Sequence, residues 1–239
     1  MDLDIFPMNE SGMNVVPYDR NANAHDVAAS RHRVLRNTYW LLSLSMVPTV
    51  LGAWLGIVLR LQMPFSPGFN MMAYLVLAFG LVLAIERYKN SGVGVVLLLG
   101  FTFLMGLMLS RVIEFYLKTP NGPQLIALAA GGTALVFLGL ASFAATTHKD
   151  FSSWGKFLLV GLVMLVIASV ANVFMQLPAL QMTITVIGFG LFTALLLFDL
   201  RRVIEGGETN YVSATLAIYL DLYNMFVSLL QIVGAGSDE

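Results

Sequence analysis

Seven long apolar runs divide the chain, at roughly 38–59, 68–86, 92–112, 122–146, 154–177, 180–204 and 211–234. Each is about the length, ~20 residues, that an α-helix needs to cross the hydrocarbon core of a bilayer. Turn residues separate them: "MPFSPG" after the first, "NSG" after the second, "TPNGP" after the third, "LP" after the fifth and "GGETN" after the sixth. The third run blurs at its end, where "SRVIEFYL" places Arg111 and Glu114 three residues apart, a spacing suited to an ion pair at the membrane border. The first 37 residues lack any sustained pattern, and "NESGMNVVPYDRNANAHDVAAS" reads as disordered. The basic segment "SRHRVLRN" then flanks the membrane. The expected architecture is an all-α integral membrane protein: a disordered tail over 1–37, a seven-helix transmembrane domain over 38–234, and a short external tail over 235–239.

The last run has a second pattern laid over the first. Stepping by three and four gives Ala214, Ala217, Asp221, Asn224, Ser228 and Gln231, all small or polar. The remaining faces carry Leu216, Ile218, Leu220, Leu222, Met225, Phe226, Leu229 and Leu230. A stripe of this kind belongs against other helices rather than lipid, so the last helix is expected in the middle of the bundle. Asp221 makes the case most strongly, since a charged carboxylate at mid-membrane costs roughly 2.5–3.5 kcal/mol on insertion scales.

A second acid, Asp199, sits inside the cytoplasmic end of the sixth run, in "TALLLFDLRRVIEGGETN". Counted from the intervening turn, the two aspartates differ in height by about 6 Å at 1.5 Å per residue. Carboxylates on facing helices bridge such a gap directly or through one water. They cannot both ionise cheaply, so Asp199 and Asp221 are expected to share a proton and titrate as a unit. Such a pair opens when both ionise or when a cation enters, and Ca²⁺, which accepts oxygen ligands flexibly, suits it as a metal. The competing arrangement pairs each aspartate with an arginine: Arg87, Arg201 or Arg202.

Composition agrees with the pattern. Hydrophobic residues make up 58% of the 239, and only 11% are charged, against about 25% in soluble domains. The mean hydropathy is +0.80, and the net charge of −1 offers no basic surplus for nucleic acid. The absence of cysteine excludes disulfides and thiolate chemistry. His25, His32 and His148 lie outside the apolar runs and lack metal-ligand spacing. The first run starts too late and runs too long for a signal peptide, so it is expected to remain as a membrane helix. Ten of the thirteen Lys and Arg residues fall on one side of a seven-span arrangement and three on the other. The positive-inside rule then puts the N-terminus in the cytoplasm and the C-terminus outside. No "GxGD", "HExxH" or "GxSG" motif is present, so no catalytic residue is assigned and an enzyme is not expected.

The string "GGETNYVSATLAIYLDLYNMFVSLLQIVG" (206–234) resembles the C-terminal signature of the Bax inhibitor-1 family, most closely its bacterial YccA-like branch. "VLRNTYWLLSLS" (34–45), "GGTALVF" (131–137) and "VANVFMQLPAL" (170–180) agree in the same order. The resemblance runs from about Val34 to the end, and the tail before it takes no part. It implies a seven-helix protein of the bacterial inner membrane with the last helix central. It further implies association with, and modulation of, the membrane-bound ATP-dependent protease FtsH, for which the unstructured tail would be a handle. Other bacterial members imply an alternative, a pH-sensitive Ca²⁺ leak gated by an acid pair whose positions here are Asp199 and Asp221. Arg87, at the end of the second helix, stands where the resemblance places a latch arginine. Arg111 and Glu114 depart from the family's usual residues. Lipid and the protease complex are the expected partners; no cofactor is expected beyond Ca²⁺ as a permeant or bound ion.

Overall fold

The computed structural model describes residues 20–59, 67–147, 149, 151 and 153–236. Seven helices follow one another: α1 (Arg20–Val58), α2 (Pro67–Tyr88), α3 (Gly92–Leu117), α4 (Gly122–Thr146), α5 (Trp154–Met175), α6 (Pro178–Glu205) and α7 (Tyr211–Ala235). No strand occurs among the described residues. Six of the seven, all but α2, are long and apolar enough over their described residues to cross a membrane.

The helix ends follow local chemistry. Proline opens α6 at its first position, where a missing N–H costs nothing. Gly206 closes it in the left-handed region, φ +81°, a conformation that glycine adopts without strain. Asn210 caps α7, its side-chain oxygen accepting from the backbone N–H of Val212 and Ser213. Two expectations change. Residues 20–37, assigned to the disordered tail, are helical: Ala and Arg support helix, and a helix already nucleated in the membrane propagates outward without a new nucleus. The part of the tail before Arg20 lies outside the described residues. Helix α3 also continues beyond 112, to Leu117, and carries both border charges. Glu114 bonds Lys118 at 2.9 Å, and Arg111 lies over the ring of Tyr74, 5.8 Å from its centroid.

Helix α7 packs against α1, α2, α3, α4 and α6. Burial therefore runs around much of its circumference, from Val212 and Ala214 through Ile218, Tyr219 and Met225 to Leu230. By contrast, α5 packs chiefly on α6 and turns Phe157 (78% exposed) and Phe174 (74% exposed) outward with many smaller apolar side chains. In a bilayer those side chains face lipid.

Helices α1 and α3 approach until backbone meets backbone. A Cβ at Gly52 would overlap the Phe103 carbonyl oxygen, and one at Gly106 would overlap the Thr49 carbonyl oxygen. Small-residue helix interfaces of membranes are built this way. Tyrosine hydroxyls fasten α7 to this pair. Tyr219 Oη shares a 2.8 Å hydrogen bond with Thr49 Oγ1 of α1, and Tyr223 Oη donates to the Met105 carbonyl of α3 at 3.3 Å. Gly106→Ala should lower the thermal stability of the purified protein by the cost of overpacking, about 1–3 kcal/mol. Gly100→Ala, on a face of the same helix where an added Cβ meets nothing within 4 Å, should leave the melting temperature unchanged or slightly raised.

Candidate functional site

The α6–α7 hairpin brings the two acids together. Asp221 projects from the buried side of α7 and is only 4% exposed, while Asp199 approaches from the last turns of α6 and is half-buried. Their side chains lie within hydrogen-bonding reach of each other. Oδ2 of Asp221 is fully buried and meets no N–H or O–H donor among the described residues. Two carboxyls placed this way are satisfied by a proton held between them, since an unpaired buried charge is costly.

A cavity of about 270 Å³ leads to the pair. Its wall is built from Glu86 at the end of α2, Lys89 of the α2–α3 turn, the end of α6 (Asp199, Arg202, Val203), Glu208 of the α6–α7 turn, and the start of α7 (Ser213, Ala214, Ala217). Asp199 lines it, and Asp221, its neighbour, is not part of the wall. Two ion pairs neutralise most of the charge in the wall, Lys89 with Glu86 at 2.9 Å and Arg202 with Glu208 at 3.1 Å. Ser213 Oγ, also in the wall, is buried and finds no partner among the described residues.

The three candidate counter-ions go to different places. Arg202 is the arginine whose charge reaches Asp199, although its guanidinium bonds Glu208. Arg201, one residue away and 7% exposed, turns toward α4. It donates to the carbonyl oxygens of Ala144 (2.9 Å) and Lys149 (3.4 Å) and pairs with Glu205. There it caps the last turn of α4, where carbonyls lack helical partners and a cation is favourable. Arg87 is exposed and does not line the cavity; its neighbours Glu86 and Lys89 do.

Beyond Asp221 the polar stripe continues in two styles. Asn224 returns its amide to its own helix, donating to the Leu220 carbonyl at 2.7 Å, and Ser228 is buried. Gln231 joins a cross-helix network. Its carbonyl oxygen accepts from Gln181 Nε2 (3.1 Å) and Thr185 Oγ1 (3.0 Å), while Gln181 accepts from Asn172 Nδ2 (3.0 Å). Asn172 Oδ1 in turn takes the backbone N–H of Leu177 in the α5–α6 turn. Sequence reasoning missed Asn172, Gln181 and Thr185, whose partners lie on other helices. It also missed Glu86, Lys89 and Glu208, which read as ordinary border charges. The asparagine in "GGETN", one residue before an apolar run, was a legible cap signal.

The donor set bears on the choice of ion. Among the described residues no group of three His, Cys, Asp or Glu side chains comes together as a metal site, and Ca²⁺ ordinarily takes 6–8 oxygens. The pair alone suits a proton, or a cation passing with much of its water retained, better than a seated metal.

Comparison with known proteins agrees with this architecture. Residues 31–238 match the family model described as inhibitor of apoptosis-promoting Bax1. The chain is 40% identical over 220 residues to the Escherichia coli K12 protein named modulator of FtsH protease YccA, an alignment covering 91% of this chain and 98% of that one. It is 37% identical over 203 residues to a membrane protein of Vibrio cholerae, covering 85% and 89%. A Campylobacter jejuni protein shares 31% identity over 218 residues, covering 90% and 94%. A match over nearly the whole length, including the α6–α7 hairpin that carries both aspartates, places this chain in the Bax inhibitor-1 family.

Proposed function

We propose that this protein modulates an FtsH-type membrane protease from within the inner membrane. The observation that carries the reading is the 40% identity across 98% of a relative named for that role, a relative also named an inner membrane protein in a second strain. Helix α1 adds support. It begins at Arg20, well ahead of the span that starts at Arg31, and further chain precedes it. That segment offers an ATP-dependent protease a handle outside the bilayer. Deleting residues 2–30 should lengthen the protein's half-life in cells containing FtsH. Overproducing the intact chain should slow FtsH turnover of a second membrane substrate. Pulse-chase measurements in which neither rate changes would overturn the reading.

The topology that presents this segment to the protease has seven spans, an internal N-terminus and an external C-terminus. Helix α2 supplies the seventh span: its 22 residues turn Val76, Leu77, Phe79 and Leu83 outward, as a lipid-facing helix would. Lys and Arg then crowd the side that holds the cavity. A periplasm-only reporter fused after residue 236 should be active and a cytoplasm-only reporter silent. The opposite result would remove one span from the count.

A second reading is favoured by one observation, Asp199 standing in the cavity wall with Asp221 beside it. In it, a proton or hydrated cation reaches Asp199 from the cytoplasmic side, and separation of the pair opens a leak. In liposomes, Ca²⁺ flux should rise above that of empty vesicles and respond to pH, and Asp221→Asn should flatten the response. Flux equal to empty vesicles from mildly acidic to neutral pH would remove this reading and leave the first intact.

A further inference from the structure

We propose that Asn210 is a clasp that joins the α2–α3 turn to the α6–α7 turn and sets access to the cavity in front of Asp199. Its side chain does two jobs at once. The oxygen caps α7, accepting from the backbone N–H of Val212 at 2.9 Å and of Ser213 at 3.2 Å. The nitrogen crosses to the other turn, donating to the Lys89 carbonyl at 3.1 Å and to Asn90 Oδ1 at 2.8 Å. A cap alone needs only the acceptor. The amide donors therefore go wholly to the second turn, 120 residues away in sequence.

The clasp closes a ring of contacts around the cavity. Arg202 bonds Glu208. The other oxygen of Glu208, Oε1, accepts the backbone N–H of Asn210 at 2.9 Å. Asn210 then holds Lys89 and Asn90, and the Lys89 ammonium returns to Glu86. Glu86, Lys89, Arg202 and Glu208 all line the cavity, so the ring runs along its wall. Of these links, only those through Asn210 join the α2 side to the α6–α7 side. The two ion pairs lie within their own sides. Helix α2 otherwise leans mainly on α3, with slight contact to α7. Ile85 of α2 is fully buried in one cluster with Val203 of α6 and Val212 of α7, and the Asn210 hydrogen bonds add the polar link between the two turns.

Chemistry sets what the clasp regulates. The wall carries carboxylates and their paired cations, with the buried hydroxyl of Ser213 among them, unpartnered among the described residues. Water and small hydrated cations are the species admitted when the turns part. The inference uses the second reading above for what passes the mouth, but its test measures access rather than flux, so the two can fail separately.

The full-length chain contains no cysteine, so one can be introduced without background. Ala217→Cys, in the cavity wall, is labelled with a membrane-impermeant methanethiosulfonate in inside-out vesicles. Asn210→Ser retains a capping oxygen but lacks the amide and its reach. Added to Ala217→Cys, it should raise the labelling rate about tenfold, the scale expected for losing two hydrogen bonds. Labelling of the control Ala144→Cys, buried near the end of α4 and outside the cavity wall, should not change. An unchanged labelling rate at position 217 overturns the proposal, and so does an equal rise at both positions, which would mean general loosening. Should Asn210→Ser fail to fold, Asn90→Ala removes the facing acceptor without touching the cap, with the same expected direction and the same overturning results.

Discussion

A carboxyl group inside a membrane protein has to be enclosed, and the arrangement of this bundle follows from that constraint. Asp221 against lipid would be several kcal/mol out of balance. Placing it on a helix touched by five others removes lipid from its surroundings, and Asp199 then supplies the partner. The surrounding packing serves the same end. Gly52 and Gly106 allow α1 and α3 to meet backbone to backbone, and Tyr219 and Tyr223 fasten α7 to that platform through their hydroxyls. Helix α7 is therefore held firmly along the face opposite the acid pair.

The two halves of the α7 stripe differ in chemistry. Toward its N-terminus lie ionisable groups and a cavity; toward its C-terminus lie only amides and hydroxyls, closed on one another through Asn172, Gln181, Thr185 and Gln231. Amides satisfy each other without a change of charge, so that network holds α5, α6 and α7 together independently of protonation. Carboxyls do not: each change in the pair's proton count changes the charge the site must accommodate. The asymmetry places the ionisable groups at one end of the helix and a charge-neutral network at the other.

The helix count and most boundaries were legible because apolar runs end in turn residues that act locally. Residues 122–146 and the start of α7 at 211 coincide with the helices found, and the Asp199–Asp221 juxtaposition followed from counting along a tight hairpin. What could not be read was the destination of side chains across helices. Arg201 and Arg202 are adjacent, yet about 100° of helical rotation sends one to the α4 carbonyls and the other to Glu208. No local pattern distinguishes them, because the distinction depends on where α4 stands. The same holds for Gln231, whose partners lie 46 and 50 residues earlier. Residues 20–37 differ from the expectation for the opposite reason: low hydrophobicity argues for disorder, while Ala-rich propensity and an adjoining membrane helix carry order outward to Arg20.

The two functional readings meet at one turn. A Cβ on Gly206 would lie 2.6 Å from Nε of Arg31, so the guanidinium of α1 sits directly on the end of α6. Glycine is favoured there by its positive φ. The residues ahead of Arg31 are the ones a protease would engage, while the residues after Gly206, Glu208 and Asn210, form part of the cavity's polar ring. Helix α1 also packs on α3 and α7, so a load on the N-terminal segment would reach both the core and this turn. The two sides of the ring are joined by the hydrogen bonds of a single asparagine, beside the core contact of Ile85. Under the two proposals above, engagement at the tail and access to the acid pair would meet at this turn.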